Sequence, residues 1–166
     1  MNADKIQGAL GTLVEDPDNE SAWDDVEEVV TSDSGEELLR ILEAARRRHA
    51  ELHDWETVAR LLELELAVID DAADEAARLR ELARVYDEDL RRSVDALEAY
   101  ERVAAHGEAD EKIEQAIAGI RQFQERWADT VDHRLQDAEA AEDSMVSARK
   151  LAAAADAQFR FGGDGE

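Results

Sequence analysis

Two histidines lie four residues apart in the segment RRRHAELHDW, which covers Arg46–Trp55. On a helix this spacing places both imidazoles on one face, where they could bind one metal ion. The metalloprotease pattern with this spacing also has a glutamate directly after the first histidine, where it activates the metal-bound water. Here that position holds Ala50, and the sequence offers no recognisable third ligand. We therefore predict no metal at His49 and His53 and a structural role for both.

The arginine triplet Arg46–Arg48 precedes these histidines. Cations are favoured near the C-terminal end of a helix, where they interact with the helix dipole. The protein is strongly acidic, with a formal net charge of −24. We therefore interpret all three arginines as counter-charge at the end of a helix.

Patterns typical of catalysis are missing from the rest of the sequence. It contains no cysteine, no glycine-rich phosphate loop, and no Ser-His-Asp set that can be assigned among so many acids. The acidic segment DPDNESAWDDVEE lacks the central glycine of a calcium-binding EF-hand loop. We therefore predict that the protein is not an enzyme and uses no cofactor or metal.

The net charge limits the partners that the protein can bind. Nucleic acids and anionic membranes both attract Lys and Arg, so an excess of Asp and Glu argues against either partner. The acids are unevenly distributed, with eleven of them and no Lys or Arg between Glu15 and Glu37. Two interpretations remain open: a surface that attracts a basic partner, or a solvated surface suited to a salty environment.

The N-terminal segment MNADKIQGALGTLVEDP has neither the basic start nor the continuous apolar stretch of a signal peptide. No window approaches the roughly 18 apolar residues that a membrane-spanning helix needs. We therefore expect a cytoplasmic protein.

The elements that position these residues are predicted to be helices. Ala, Leu, Glu and Arg dominate, and the chain has one proline and eight glycines. Apolar residues recur at helical spacing between short acidic turns, with Pro17 and Asn19 marking a break and Ser34 and Asp54 as N-caps. The pattern predicts an all-α fold of about nine helices whose short connections make sequential neighbours antiparallel. The two most C-terminal stripes before the last helix are Ile113–Phe123 and Val131–Ala138.

One segment, LRELARVYDEDLRRSVDALEAYERVAAHGEAD, resembles a tetratricopeptide repeat. The residues at the characteristic positions are Leu79, Leu82, Ala83, Tyr86, Ala96 and Tyr100. The interval from Tyr86 to Ala96 is one residue longer than usual, which implies an extended turn. A looser match precedes it, at Leu42, Ala45, Arg46, His49, Val58 and Leu62. In this match His53–Trp55 takes the inter-helix turn, and Glu125–Trp127 is similar to it.

The resemblance implies a short right-handed α-solenoid of stacked antiparallel hairpins. We expect a single domain over residues 1–160, with its best repeat at about 74–109, and a flexible tail over 161–166. Small residues such as Ala83 and Ala96 would let helices approach closely. The larger aromatic residues would fill the gaps between hairpins; these are Trp55, Tyr86, Tyr100 and Trp127.

The same resemblance implies a scaffold that binds a peptide or helix of another protein in a groove. The first helices of successive hairpins would line this groove and contribute Arg40, Glu43, Arg47, Arg80, Arg84 and Asp87. The partner's own surface is expected to be basic if the acidic N-terminal region attracts it. The alternative is a structural subunit, either a homo-oligomer or a piece of a larger repeat protein, that assembles through its terminal helix.

Overall fold

The computed structural model describes residues 3–33, 35–139 and 144–161, and over these ranges the chain is all-α, without strands. Eight α-helices follow one another, and a π-helical turn, Val85–Asp89, separates the fifth from the sixth. The helices are α1 (Ala3–Glu15), α2 (Glu20–Ser32), α3 (Glu36–Glu51), α4 (Trp55–Val68), α5 (Ala72–Arg84), α6 (Ser93–Ala105), α7 (Glu111–Glu139) and α8 (Ser144–Phe161).

The predicted number of nine helices is wrong, because two predicted helices form the single α7 of 29 residues. The segment Glu125–Trp127, which the repeat pattern places in a turn, lies inside this helix. Nothing in its local sequence breaks a helix, since α7 contains no proline and its only glycine is Gly119. Local helix propensity therefore outweighs the repeat spacing here.

Several helix starts follow from capping residues. The side chain of Asn19 accepts a hydrogen bond from the backbone N–H of Ala22 at 3.0 Å, and Asp54 accepts one from Thr57 at 3.3 Å. The carboxamide of Asn19 and the carboxylate of Asp54 each pair with a backbone N–H that the first turn of a helix leaves without a partner. The two predicted breaks are therefore confirmed. The predicted cap Ser34 lies outside the described residues.

The π turn explains the extra residue between Tyr86 and Ala96. The backbone N–H of Leu90 donates to the carbonyl of Val85 at 2.9 Å, which is the five-residue bond of a π-helix. A π turn accommodates one residue more than an α-helical turn does. The extra residue is therefore absorbed at the end of a helix before Arg91, whose φ of 59° turns the chain towards α6.

The chain divides into two compact units, Met1–Ala109 and Asp110–Glu166, where the sequence predicts one domain over 1–160. In the first unit, α1 packs on α2, α3 on α4 and α5 on α6. Each helix pair also contacts the next pair, through α1 with α3, α2 with α4, and α4 with α5. The fully buried side chains of this unit include Ile6, Leu13, Val26, Leu38, Leu42, Leu61, Leu62 and Leu79.

The second unit consists of α7 and α8, which pack against each other. Its buried apolar residues in the described ranges are Ile113, Ile120, Ala138 and Ala154. Phe161 is the last residue of α8, and the remainder of the predicted tail lies outside the described residues. None of the helices in the described ranges is long and apolar enough to cross a membrane.

Candidate functional site

The two histidines of the α3–α4 junction lie in different environments. His49 is fully buried, and its Nδ1 is hydrogen-bonded to Oδ2 of Asp54 at 2.8 Å. The other oxygen of Asp54 caps α4, so this carboxylate joins the last turn of α3 to the first turn of α4. His53 lies beyond the end of α3, is exposed and has a φ of 58°. Its ring packs edge-on against Trp55, with the two ring centroids 5.7 Å apart.

The spacing of these histidines therefore does not place both imidazoles on one helix face, because the helix ends at Glu51. Throughout the described ranges, no group of three or more His, Cys, Asp or Glu side chains could hold a metal ion. The turn predicted at His53–Trp55 is confirmed. His49 and Asp54 act on the connection between two helices, which is a structural role.

Arg46 belongs to a buried ionic cluster that links three helices. Its Nε donates to Oε1 of Glu65 on α4 at 2.8 Å, and its Nη1 donates to Glu81 on α5. Arg78 on α5 donates from its own Nε to Oε2 of Glu65 at 2.5 Å. Glu65 is fully buried and Arg46 is 5% exposed. Arg46 is therefore a counter-charge to carboxylates of two other helices, and not only to the dipole at the end of α3.

Each carboxylate oxygen of Glu65 thus accepts a charge-assisted hydrogen bond from an arginine. Burial raises the pKa of Glu65, and the guanidiniums of Arg46 and Arg78 oppose that rise. The sequence does contain a signal for this cluster. Arg46 follows Leu42 by four residues and Glu65 follows Leu61 by four, so both positions continue the apolar face of their helix.

All six predicted groove residues are engaged in contacts within the first unit. Arg47 pairs with Glu43 at 2.6 Å, Arg80 with Glu108 at 3.2 Å, and Arg84 with Glu88 at 3.7 Å.

Glu43 is also 3.7 Å from Arg78, which places it at the edge of the buried cluster. Asp87 lies in the π turn, and its carboxylate helps to raise the pKa of Tyr100. The sixth residue, Arg40, is exposed and paired with Glu37, and it lines an open groove that the other five do not reach.

This groove, which we call the α1–α3 groove, lies between the first helices of the first two hairpins and has a volume of about 500 Å³. Its apolar lining consists of the buried Leu10, the half-buried Val14, Ile41 and Ala45, and the exposed Ala44. The polar side chains of the lining are all exposed, and we call them the rim: Gln7, Glu37, Arg40 and Arg48. Gly11 also lines the groove, and the space beside it is open, because a Cβ atom added there would meet nothing within 4 Å.

A second groove, which we call the α2–α4 groove, has a volume of about 530 Å³ and lies beside α2, α4 and the π turn. Trp23 forms one wall; its indole N–H donates to the carbonyl of Pro17 at 2.8 Å. The guanidinium of Arg60 lies 4.0 Å from the centre of the Trp23 ring. Tyr86 forms another part of the lining.

The predicted packing role of the aromatic residues holds best for Tyr86, which is buried and donates from its hydroxyl to Glu63 at 2.5 Å. Burial, and then the neighbouring Glu63 carboxylate, raise the pKa of Tyr86 above its ordinary value. Trp55, Tyr100 and Trp127 are only half-buried. Trp127 packs edge-on against Phe123 on the same helix, with ring centroids 5.9 Å apart.

No protein-family model matches this sequence. Comparison with curated proteins and with solved structures also finds no significant match. The assignment of a function therefore depends on the grooves and on the chemistry of their lining residues.

Proposed function

We propose that the protein is a non-catalytic interaction module that binds a peptide or helix of another protein in the α1–α3 groove. The observation that carries this proposal is the open groove between two helices, which is lined by five apolar residues and by polar residues that are all exposed. Binding a helix in a groove requires this arrangement, because the apolar face of the helix is removed from water while its polar face stays solvated. A volume of about 500 Å³ can receive several side chains of such a segment.

The order of helix contacts supports a tetratricopeptide-like architecture for the first unit. Three hairpins follow one another, and each contacts its neighbour in sequence. Stacking of this kind leaves the first helices of successive hairpins side by side and open to a ligand along their length. Under this proposal the α1–α3 groove is the N-terminal part of a solenoid surface, and Arg40 is its predicted ligand-facing residue.

Arg48 on the rim favours a partner with a carboxylate beside its apolar face. This arginine is exposed and makes no ion pair within the described part of the chain. Arg40, by contrast, is already paired with Glu37. A carboxylate of the partner that pairs with Arg48 would fix the orientation of the segment rather than supply most of the affinity.

The chain offers a matched pair of variants that tests the groove. Gly8 and Gly11 both lie in α1, and both have open space where a side chain would begin. Only Gly11 lines the groove. Gly11→Phe should fill it, whereas Gly8→Phe changes the same helix by the same chemistry away from the groove.

A display library of random peptides, selected on the wild-type protein, provides the probe. We expect the selection to enrich peptides with apolar residues at helical spacing. These peptides should bind the wild type and Gly8→Phe with equal affinity. They should bind Gly11→Phe at least about tenfold more weakly, which corresponds to a loss of about 1.4 kcal/mol in binding free energy. Failure to enrich any peptide, or equal binding to both variants, would overturn the proposal. The thermal midpoints of the two variants show whether both are folded.

The second candidate function is assembly through the C-terminal unit. Six large apolar residues are exposed in the described ranges, and four of them belong to α7 and α8: Phe123, Leu135, Val146 and Leu151. A two-helix unit with this surface gains stability when another subunit covers it.

Light scattering over a concentration series tests for self-association. Leu151→Glu should abolish self-association. The control Leu52→Glu, at an exposed position of the first unit, should leave self-association unchanged. A strict monomer at high concentration would exclude self-assembly.

A further inference from the structure

The α2–α4 groove differs from the α1–α3 groove in charge. Five carboxylates and two guanidiniums line it, so its formal charge is −3. Asp18 and Glu20 stand at the start of α2. Asp54, Glu56 and Glu63 stand at the N-cap of α4 and along that helix.

The two arginines are already counted in this charge, and only one of them pairs with a carboxylate of the groove. Arg92 pairs with Glu56 of the groove, with Nη2 and Oε2 2.9 Å apart. Arg60 directs its guanidinium to Glu27, which lies outside the lining, with Nη2 and Oε1 2.6 Å apart. One groove carboxylate is therefore paired with an arginine and four are not.

Of the four remaining carboxylates, two are hydrogen-bonded to other groups of the protein and two have no partner among the described residues. Glu63 accepts from the hydroxyl of Tyr86, and Asp54 is bonded to His49 and to a backbone N–H. Asp18 and Glu20 are exposed and make no ion pair with any residue that the structure describes. The groove can therefore accept additional positive charge.

The acidic surface continues beyond the groove. A smaller cleft of about 100 Å³ shares Glu63 and Tyr86 with it and adds Asp95 and Glu98, against the single arginine Arg102. The two clefts share Glu63 and the buried Tyr86, and we call their combined lining the track. A lining of this extent fits an extended chain with several side chains better than it fits one small cation.

We propose that this track is a second binding site, which takes a basic segment of another protein with at least two Lys or Arg side chains. The charged ends of these side chains would reach the carboxylates, and their apolar stems would lie along the groove lining between them. The contact of Arg60 with Trp23 shows that the indole face accepts a guanidinium. A neutral apolar segment would instead remove the carboxylates from water without pairing them, which is unfavourable.

A divalent metal ion is a poor alternative occupant. It requires several oxygen ligands around one point, and the described residues contain no group of three or more ligands close enough to hold an ion. The carboxylates are instead contributed by the start of α2, by α4 and by α6.

The whole protein, with its net charge of −24, attracts any basic peptide, so the test must separate the track from this general field. At physiological ionic strength exposed charges are screened over about 8 Å. Binding measured there depends mainly on the carboxylates in direct contact. A matched change of charge elsewhere on the protein then serves as the control.

The track variant is Asp18→Asn, Glu20→Gln and Glu63→Gln in one protein. The amide oxygen at position 63 can still accept the hydrogen bond from Tyr86, so this variant retains that contact. The control variant is Asp24→Asn, Glu36→Gln and Asp70→Asn. These three acids are exposed and outside the track, Glu36 begins a helix as Glu20 does, and the change in charge is the same.

The probe is a labelled peptide of alternating Arg and Ser residues, compared with a peptide in which Gln replaces each Arg. Binding is measured by fluorescence anisotropy at physiological salt. The affinities of the wild type and the control variant for the Arg peptide should agree within about twofold. The affinity of the track variant should be at least about tenfold weaker. Equal weakening of both variants, or no binding to the wild type, would overturn the proposal. If the track triple variant does not fold, Asp18→Asn against Asp24→Asn gives the same comparison with a smaller expected difference.

Discussion

The two compact units of this protein bury their apolar side chains to different extents. In the first unit, the first two hairpins share one buried core, and each helix pair contacts the next. In the second, the described part of α7 and α8 buries Ile113, Ile120, Ala138 and Ala154 and leaves four large apolar residues exposed. In a hairpin, each of the two helices covers only one side of the other. The apolar side chains on the remaining face are buried only when a neighbouring hairpin packs against it.

The units also differ in polar chemistry. The first unit contains the buried cluster of Arg46, Glu65 and Arg78, which joins α3, α4 and α5. In the second, Arg134 and Lys150 donate to the backbone carbonyls of Ala153 and Asp137 across the hairpin, from exposed positions. Exposed contacts of this kind are weak, whereas a buried charge left without its partner is strongly unfavourable. The stability of the first unit should therefore depend on single polar residues.

The largest expected effect follows from Arg46→Ala. This change leaves the fully buried carboxylate of Glu65 with one guanidinium instead of two and should destabilise the first unit by about 3–5 kcal/mol. Arg47→Ala, at an exposed position of the same triplet, should cost less than about 1 kcal/mol. Denaturant unfolding followed by tryptophan fluorescence compares the two. Equal costs would mean that the cluster does not determine the stability of this unit.

Alkaline pH should also act on the first unit, which contains both tyrosines of the chain. Burial, and then the nearby Asp87 and Glu88, raise the pKa of Tyr100 to about 12. A raised pKa favours the neutral hydroxyl in the folded state, so its stabilising contribution is complete below the ordinary tyrosine pKa of about 10. It is lost as the pH rises through the folded value.

Tyrosinate absorbance and unfolding measured over this pH range test the prediction. Tyrosine ionisation in the folded protein should lag behind that in the denatured protein, and Tyr100→Phe should reduce the loss of stability. A folded protein whose tyrosines both ionise near pH 10 would contradict it.

The smallest expected effect comes from replacing one glycine in each unit with alanine. Gly8 in α1 and Gly119 in α7 both lie within helices and have open space where a Cβ would be added. Alanine at either position should stabilise the unit that contains it by about 0.5–1 kcal/mol. Hydrogen exchange should show slower opening only in that unit. A gain that appears in both units would mean that they unfold together.

Much of the fold can be predicted from local sequence. The break at Pro17 and Asn19 and the cap at Asp54 are visible because capping depends on residues within one turn of each other. The continuous α7 shows the limit of a repeat pattern, since spacing alone cannot create a turn where no residue ends the helix.

The candidate sites are less predictable, because they depend on contacts between distant segments. Arg46 and Glu65 are 19 residues apart, and although each continues the apolar face of its helix, the sequence does not show that the two side chains meet. Of the six predicted groove residues, only Arg40 lines the α1–α3 groove. Positions transferred from a repeat pattern indicate a helix face, but they do not show which arginines already have carboxylate partners within the chain.

Hydrogen exchange across the whole chain tests most directly the claim that the first unit is self-sufficient and the second is not. The slowest amides should belong to α3, α4 and α5 around the buried cluster. They should exchange at least about tenfold more slowly than the slowest amides of α7 and α8, a difference of about 1.4 kcal/mol in opening free energy. Equal or slower exchange in α7 and α8 would contradict the claim.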